Sequence, residues 1–184
     1  MVLPGHLAGG YLAALALLSI THASSNGAFS HEQLNTLLII GTLAGELPDI
    51  DLVRFHFEEK SQKANMVRSH REYFTHGPLF WIVTCALVSL IGYLFGNTFT
   101  IYLGFILMVS ALSHLILDSI DDGVMWLWPF SKRRFGIFKS KEVLVNGPHS
   151  ISYYWKFITN EYPRYWSFYI EVLTTLVAVF FIFK

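Results

Sequence analysis

The hexapeptide Ser-His-Leu-Ile-Leu-Asp, residues 113–118, places a histidine and an aspartate four positions apart near the end of an apolar run. If the run from Thr100 to Ile120 is a helix, His114 and Asp118 lie about one turn apart on one face. An imidazole and a carboxylate within an apolar helix must be paired, hydrogen-bonded or bound to an ion, because their desolvation is costly. The pair therefore indicates either a metal site or a hydrogen bond that only joins helices.

Two further acidic residues, Asp49 and Asp51, directly follow another apolar segment, which Pro48 is expected to end. In an extended backbone these alternating residues would point the same way and face one cation or bridge two. The alternative is an ordinary turn, in which Pro-Asp sequences are common.

Two histidines, His70 and His76, frame Arg71 just before a third apolar segment. Histidine and aspartate together suit zinc, manganese or iron, whereas the planar arginine fork binds phosphate or carboxylate oxygens. The alternative is a basic loop that only touches lipid headgroups. His6 at the start of the first segment and Glu171 in the last one are further polar residues in apolar surroundings, and each needs a partner.

The apolar segments of the chain must position these residues. Hydrophobic residues make up 53% of the chain and charged residues 14%, a composition typical of a membrane protein. We expect an all-α integral membrane bundle of about five helices, forming a single domain over residues 1–184. The first two segments are marginal crossings that could be re-entrant, and the last three approach the roughly 20 residues that a crossing needs. The five segments are Leu3–Ile20, Leu34–Leu47, Leu79–Phe95, Thr98–Ile120 and Trp166–Phe183.

The placement of lysine and arginine predicts the orientation of the bundle. If all five segments cross, loops 21–33 and 96–97 share one side and contain no basic residue, whereas loops 48–78 and 121–165 contain all of the 13 except Lys184. Such asymmetry predicts a multi-pass membrane protein with its N-terminus and both basic loops in the cytoplasm and its C-terminus outside. The polar residues described above then gather at the cytoplasmic end of the bundle. The formal net charge of zero gives no indication of nucleic-acid binding.

The order of these motifs resembles the YdjM/YbcI-type inner-membrane proteins, a family described as membrane-bound metal-dependent hydrolases. The resemblance implies an all-helical membrane fold with a metal site built from the matching residues. The chain departs from the family pattern where Glu72, Tyr73 and Phe74 separate Arg71 from Thr75, where Gly77 replaces a serine, and where Asp121-Asp122-Gly123 replaces a Thr-x-x-Gly stretch. The matching motifs are His6 in a glycine-rich first segment, residues 47–51, His70-Arg71 with Thr75-His76, residues 114–118 and Trp128-Pro129-Phe130.

The His-x-x-x-Asp spacing alone is also similar to the zinc-ligand helix of the phospholipase C and P1 nuclease group, which cleaves phosphate esters. We therefore expect a metal-dependent hydrolase that cleaves a lipid phosphate ester at the cytoplasmic membrane face. Arg71 is expected to bind the substrate oxyanion, and His70 or Glu171 to carry a proton. Zinc is favoured over manganese or iron, and the expected ligands of one or two such ions are His6, Asp49, Asp51, His76, His114 and Asp118.

The alternative function is non-enzymatic. The same cluster suits a cation-binding, transporter-like protein, or a structural or regulatory protein in which a metal only joins helix ends. The sequence assigns no role to Asp121, Asp122 or His149, and it does not give the oligomeric state.

Overall fold

Five α-helices make up most of the computed structural model, which describes residues 3–23, 27–51, 71, 73–120, 123–138 and 155–184. The expected all-α membrane bundle of about five helices is confirmed. In chain order the helices are α1 (Leu3–Ile20), α2 (His31–Ala44), α3 (Pro78–Leu94), α4 (Thr98–Asp118) and α5 (Trp166–Ile182).

Helix α2 differs most from its predicted segment. It begins before Leu34 because Ser30 and Gln33 form a capping box, with side-chain to backbone hydrogen bonds of 3.2 Å and 3.0 Å. It also ends at Ala44, before Pro48, so the expectation that Pro48 ends it is wrong. Pro48 instead lies in the first turn of a short 3₁₀ helix, Leu47–Ile50, where a proline needs no backbone N–H.

A second 3₁₀ helix, Phe74–His76, precedes α3, and a bent π and 3₁₀ segment from Phe157 to Arg164 precedes α5. The indole of Trp81 in α3 donates a 2.6 Å hydrogen bond to the carbonyl oxygen of Thr75. This bond ties the short helix that carries His76 to the first turn of α3.

Among the described residues, α1 and α4 are long and apolar enough to cross a membrane. The pair Ile158–Arg164 and Trp166–Ile182, bent by 99°, adds a third candidate if it is counted as one span, and α3 is a shorter apolar helix. The first segment therefore meets the length test that it was expected to meet only marginally. Length and composition support a membrane protein, and the count of five crossings stays a prediction.

Helices α1 and α4 form the centre of the bundle, because α4 packs against α1, α2 and α3, and α1 also packs against α2 and α5. Helices α1 and α2 approach closely through glycine. A Cβ atom at Gly10 would lie 2.5 Å from the carbonyl oxygen of Gly41, and one at Gly45 would collide with the carbonyl oxygen of His6. This contact places His6 beside the turn that follows α2.

Two apolar clusters support the bundle at different heights. One joins α1, α2 and α4 and includes Leu18, Leu37 and Ile106. The other lies between α3 and α4 and includes Trp81 and Leu115. The described charged and histidine side chains that are buried belong to the same end of the bundle as the last turn of α4, where the candidate site forms.

Candidate metal centre

Four side chains from three parts of the chain meet at this end of the bundle. Asp49 comes from the 3₁₀ helix after α2, His76 from the one before α3, and His114 and Asp118 from the last turns of α4. Each offers one nitrogen or oxygen atom, and these four atoms all lie within 4.8 Å of one another. The structure thus brings together four of the six residues predicted as metal ligands in one group that could hold a metal ion.

The distances within this group fit a single ion. Asp49 Oδ1 lies 3.3 Å from His76 Nε2 and 3.5 Å from His114 Nε2. Asp118 Oδ2 lies 3.7 Å from His76 Nε2 and 3.6 Å from His114 Nε2. Ligand atoms about 2.1 Å from a tetrahedral zinc ion are separated by about 3.4 Å from one another. The four nitrogen-to-oxygen distances are therefore close to the edges of such a tetrahedron.

His114 is oriented by the backbone. Its Nδ1 lies 2.6 Å from the carbonyl oxygen of Gly45, and because a carbonyl oxygen can only accept, Nδ1 carries the proton and donates. In the neutral ring, Nε2 then carries the lone pair and faces Asp49 and Asp118. This buried atom makes no hydrogen bond with any residue that the structure describes, and a metal ion would supply a partner.

His76 is oriented by a carboxylate. Asp51 Oδ2 lies 2.8 Å from His76 Nδ1 and also accepts a hydrogen bond from the Thr75 hydroxyl. Burial lowers the pKa of His76, but the nearby carboxylates of Asp49 and Asp51 outweigh burial and raise it overall. A carboxylate that holds Nδ1–H of a histidine directs Nε2 toward a metal, which is a recurrent arrangement in metalloproteins.

The two aspartates therefore occupy opposite edges of the His76 ring. The expectation that extended backbone would aim Asp49 and Asp51 the same way is wrong, because Asp49 lies in a 3₁₀ helix and Asp51 caps it. With about three residues per turn, residues two positions apart diverge around the axis. Asp49 consequently faces His76 Nε2, whereas Asp51 reaches His76 Nδ1.

Arg71 contacts Asp118 through two nitrogen atoms. Its Nε lies 2.9 Å from Oδ2, and Nη2 donates a 3.0 Å hydrogen bond to Oδ1. Both side chains are buried, at 6% and 1% exposure. The residue predicted to bind a substrate oxyanion is thus held against a candidate ligand of the metal.

His6 stacks on His114 with the ring centroids 3.8 Å apart, and its Nε2 lies 3.4 Å from Asp118 Oδ1. It lies outside the group of four, against the opposite oxygen of Asp118. Its two ring nitrogen atoms are buried and make no hydrogen bond within the described part of the chain. His6 therefore borders the candidate centre, next to one of the ligands that the sequence predicted.

Glu171 lies against the start of α1. One carboxylate oxygen accepts a 3.2 Å hydrogen bond from the backbone N–H of Gly5, and the other accepts from the Tyr162 hydroxyl. These contacts tie α5 to the residue next to His6. His70, the other predicted proton carrier, lies outside the described residues, as do Asp121, Asp122 and His149.

Glu46 immediately precedes the 3₁₀ helix that carries Asp49, and no role for it was predicted from the sequence. Burial raises its pKa to about 7, and its charge interacts with those of His114, Asp49 and Asp118. Its buried Oε1 makes no hydrogen bond with any of the described residues. Burial thus favours the protonated form of this carboxyl group in the metal-free protein. In the sequence, its position three residues before Asp49 was the feature that could have indicated a place at this site.

Comparisons with known proteins agree with the membrane fold. The model of the YdjM inner membrane protein family matches residues 1–184. The chain is 36% identical over 121 residues to the inner membrane protein YbcI of Escherichia coli (strain K12). The matched residues make up 64% of this chain. The match spans 66% of the length of that curated relative. No solved structure matches the chain.

Proposed function

This chain belongs to the YdjM inner membrane protein family, and from the group formed by Asp49, His76, His114 and Asp118 we propose that it is a metal-dependent hydrolase. The observation that carries the proposal is the orientation of the two histidines. Protein acceptors hold both Nδ1 atoms, so both Nε2 atoms face the same two carboxylates. Joining helices requires no such convergence, whereas binding a cation does.

A divalent ion fits this donor set, and two nitrogen and two oxygen ligands near tetrahedral spacing favour zinc over ions that demand octahedral oxygen ligands. When bound, the ion supplies Lewis-acid chemistry, because it polarises a substrate oxygen and lowers the pKa of water toward neutrality. Asp49, His76, His114 and Asp118 would hold it.

The other residues at this end have distinct tasks. The Asp51 carboxylate and the Gly45 carbonyl group fix the orientation of the His76 and His114 rings, and Arg71 holds the Asp118 carboxylate in position. We assign the proton released by an attacking water molecule to Glu46, a carboxyl group whose pKa is raised by burial in the metal-free protein. These tasks require neither Glu171 nor His70.

The substrate that we propose is a lipid phosphate ester at the cytoplasmic face. The centre lies at one end of the bundle, where α1 and α3 begin and α4 ends. In the sequence, nearly all basic residues fall between α2 and α3 or between α4 and α5, which supports a cytoplasmic position of the centre and attraction to anionic headgroups. Phe130 is 90% exposed just before three consecutive basic residues, as suits contact with a membrane surface.

The test is hydrolysis by detergent-purified protein of a panel of lipid phosphate esters in mixed micelles, with phosphate or headgroup release as the readout. We expect turnover that a chelator abolishes and that zinc or manganese restores. His114→Ala and Asp118→Ala should abolish it, whereas His31→Ala, at an exposed histidine of α2, should not. Turnover that is insensitive to the chelator would refute the proposal. Stoichiometric metal without turnover on any ester would indicate a metal that only joins helix ends.

A further inference from the structure

Asp118 has contacts on all sides of its carboxylate. Oδ2 faces the Nε2 atoms of His76 and His114, and Oδ1 faces His6 Nε2 at 3.4 Å. The guanidinium of Arg71 spans both oxygens, with Nε 2.9 Å from Oδ2 and Nη2 3.0 Å from Oδ1. Asp118 thus links the candidate metal position on one side to a fixed cation on the other.

In two-metal hydrolases, paired cations lie about 3.5–4 Å apart and stabilise the attacking and leaving oxygens together. A carboxylate that bridges such a pair gives one oxygen to each ion. Arg71 contacts both oxygens of Asp118, including Oδ1, the oxygen opposite to the one that faces His76 and His114, and an arginine side chain keeps its positive charge in proteins. A second divalent ion at the same place would have to displace a buried guanidinium that makes one hydrogen bond and a further close ion-pair contact with Asp118.

The charges of the buried groups favour the same conclusion. Asp49, Asp51 and Asp118 contribute three negative charges and Arg71 one positive charge, so one divalent cation with neutral histidines makes the centre neutral. A second divalent cation would leave two uncompensated positive charges, which are costly in a buried site.

We infer that the centre holds one divalent ion per chain, and that Arg71 occupies the position of a second ion and positions Asp118. This inference rests on the metal-dependent function proposed above and resolves the question of one ion or two that the sequence leaves open. It makes Arg71 a positioning residue, and it predicts that the number of bound ions depends on the charge at position 71.

The experiment measures the number of metal ions bound per chain and does not depend on turnover. Full-length protein in detergent is stripped with a chelator, dialysed against increasing free Zn²⁺, and its zinc content per chain is measured by elemental analysis. Wild type should saturate at one ion, and Arg71→Ala, which removes the fixed charge and opens its space, at two. Arg71→Lys keeps the charge but loses the fork, so it should still saturate at one ion, with affinity lower by about 10- to 100-fold.

Arg164→Ala is the matched control, because Arg164 is an exposed arginine that, among the described residues, pairs with the exposed Glu161. This variant should saturate at one ion, as wild type does. Two ions in wild type, or one in a folded Arg71→Ala protein, would overturn the inference. No ion in wild type would instead refute the proposed metal-dependent function itself.

If Arg71→Ala does not fold, wild type loaded with Mn²⁺ still decides the number of ions. Electron paramagnetic resonance should show isolated Mn²⁺ without the spin coupling of a close pair. A coupled pair in wild type would overturn the inference, whatever the stability of the variants.

Discussion

Asp51 Oδ2 lies 2.8 Å from Nδ1 of His76, on the edge of the imidazole opposite to Nε2, which faces Asp49. The two aspartates, two positions apart in the chain, thus have different relationships to the same ring. Asp49 belongs to the group that could bind a metal, whereas Asp51 orients His76, a member of that group, through its Nδ1 atom.

This difference predicts different effects of substituting the two aspartates. Asp51→Asn keeps an oxygen acceptor for His76 but loses the charge, so metal affinity should fall by about 10- to 100-fold while one ion still binds at saturation. Asp49→Asn weakens a proposed ligand and should lower the affinity further. Competition with a chromophoric chelator measures both constants. Equal losses in the two variants would contradict the separate roles.

A second prediction concerns Glu171 and Tyr162, which contact each other where α5 meets the start of α1. A hydrogen bond to a charged group is worth about 1.5–3 kcal/mol. Glu171→Gln and Tyr162→Phe should each lower the melting temperature in detergent, and the double variant should lose less than the sum of the two. Metal content should stay unchanged in all three.

The same variants test the proton-carrying role that the sequence suggested for Glu171. A structural tie between α1 and α5 predicts turnover that follows the folded fraction of the protein. If Glu171→Gln kept its melting temperature and lost turnover, Glu171 would instead take part in the reaction.

The parts of the site that could be predicted from sequence are those that depend on local geometry. The spacing of His114 and Asp118 places both on one face of any helix, and α4 contains both as expected. The clustering of polar residues at one end followed from the order of apolar segments. The backbone after α2 could not be predicted in the same way, because Pro-Asp sequences suit several turns, and the 3₁₀ helix there separates Asp49 from Asp51.

Contacts between residues far apart in the chain also could not be predicted from local sequence patterns. Arg71 and Asp118 are 47 positions apart, and Gly5 and Glu171 are 166 apart. The sequence indicated that Glu171 needed a partner but did not identify it, and it predicted a substrate oxyanion or lipid headgroups, not Asp118, beside Arg71. The first contact depends on how the chain before α3 lies against α4, and the second on how α1 packs against α5, and no periodicity within one helix specifies either.

A third prediction concerns the glycine contact between α1 and α2. A methyl group at Gly10 would lie 2.5 Å from the carbonyl oxygen of Gly41, so Gly10→Ala should force the two helices apart. Overpacking of this kind costs about 1–3 kcal/mol. Because Gly45 in the following turn orients His114, the variant should lose metal affinity as well as thermal stability. Ala16→Val, on an exposed face of α1, is the control that adds bulk without this contact.

The last prediction concerns the pH dependence that Glu46 gives to the metal-free protein. Burial raises its pKa from 4.5 to about 7, while His114 opposes this shift and Asp49 and Asp118 add to it. Between these two pH values the folded state binds more protons at Glu46 than the unfolded state does. The contribution of this residue to stability therefore falls as pH rises from 4.5 to about 7, and it stays low above that range.

Glu46→Gln removes this titration and keeps the size of the side chain. In the presence of a chelator, the variant should melt at a higher temperature than wild type at pH 8, and the difference should shrink toward pH 5. Scanning calorimetry or tryptophan fluorescence in the same detergent measures both proteins side by side. A difference that does not change with pH would show that Glu46 titrates alike in the folded and unfolded states, and it could not then be the proton acceptor proposed here.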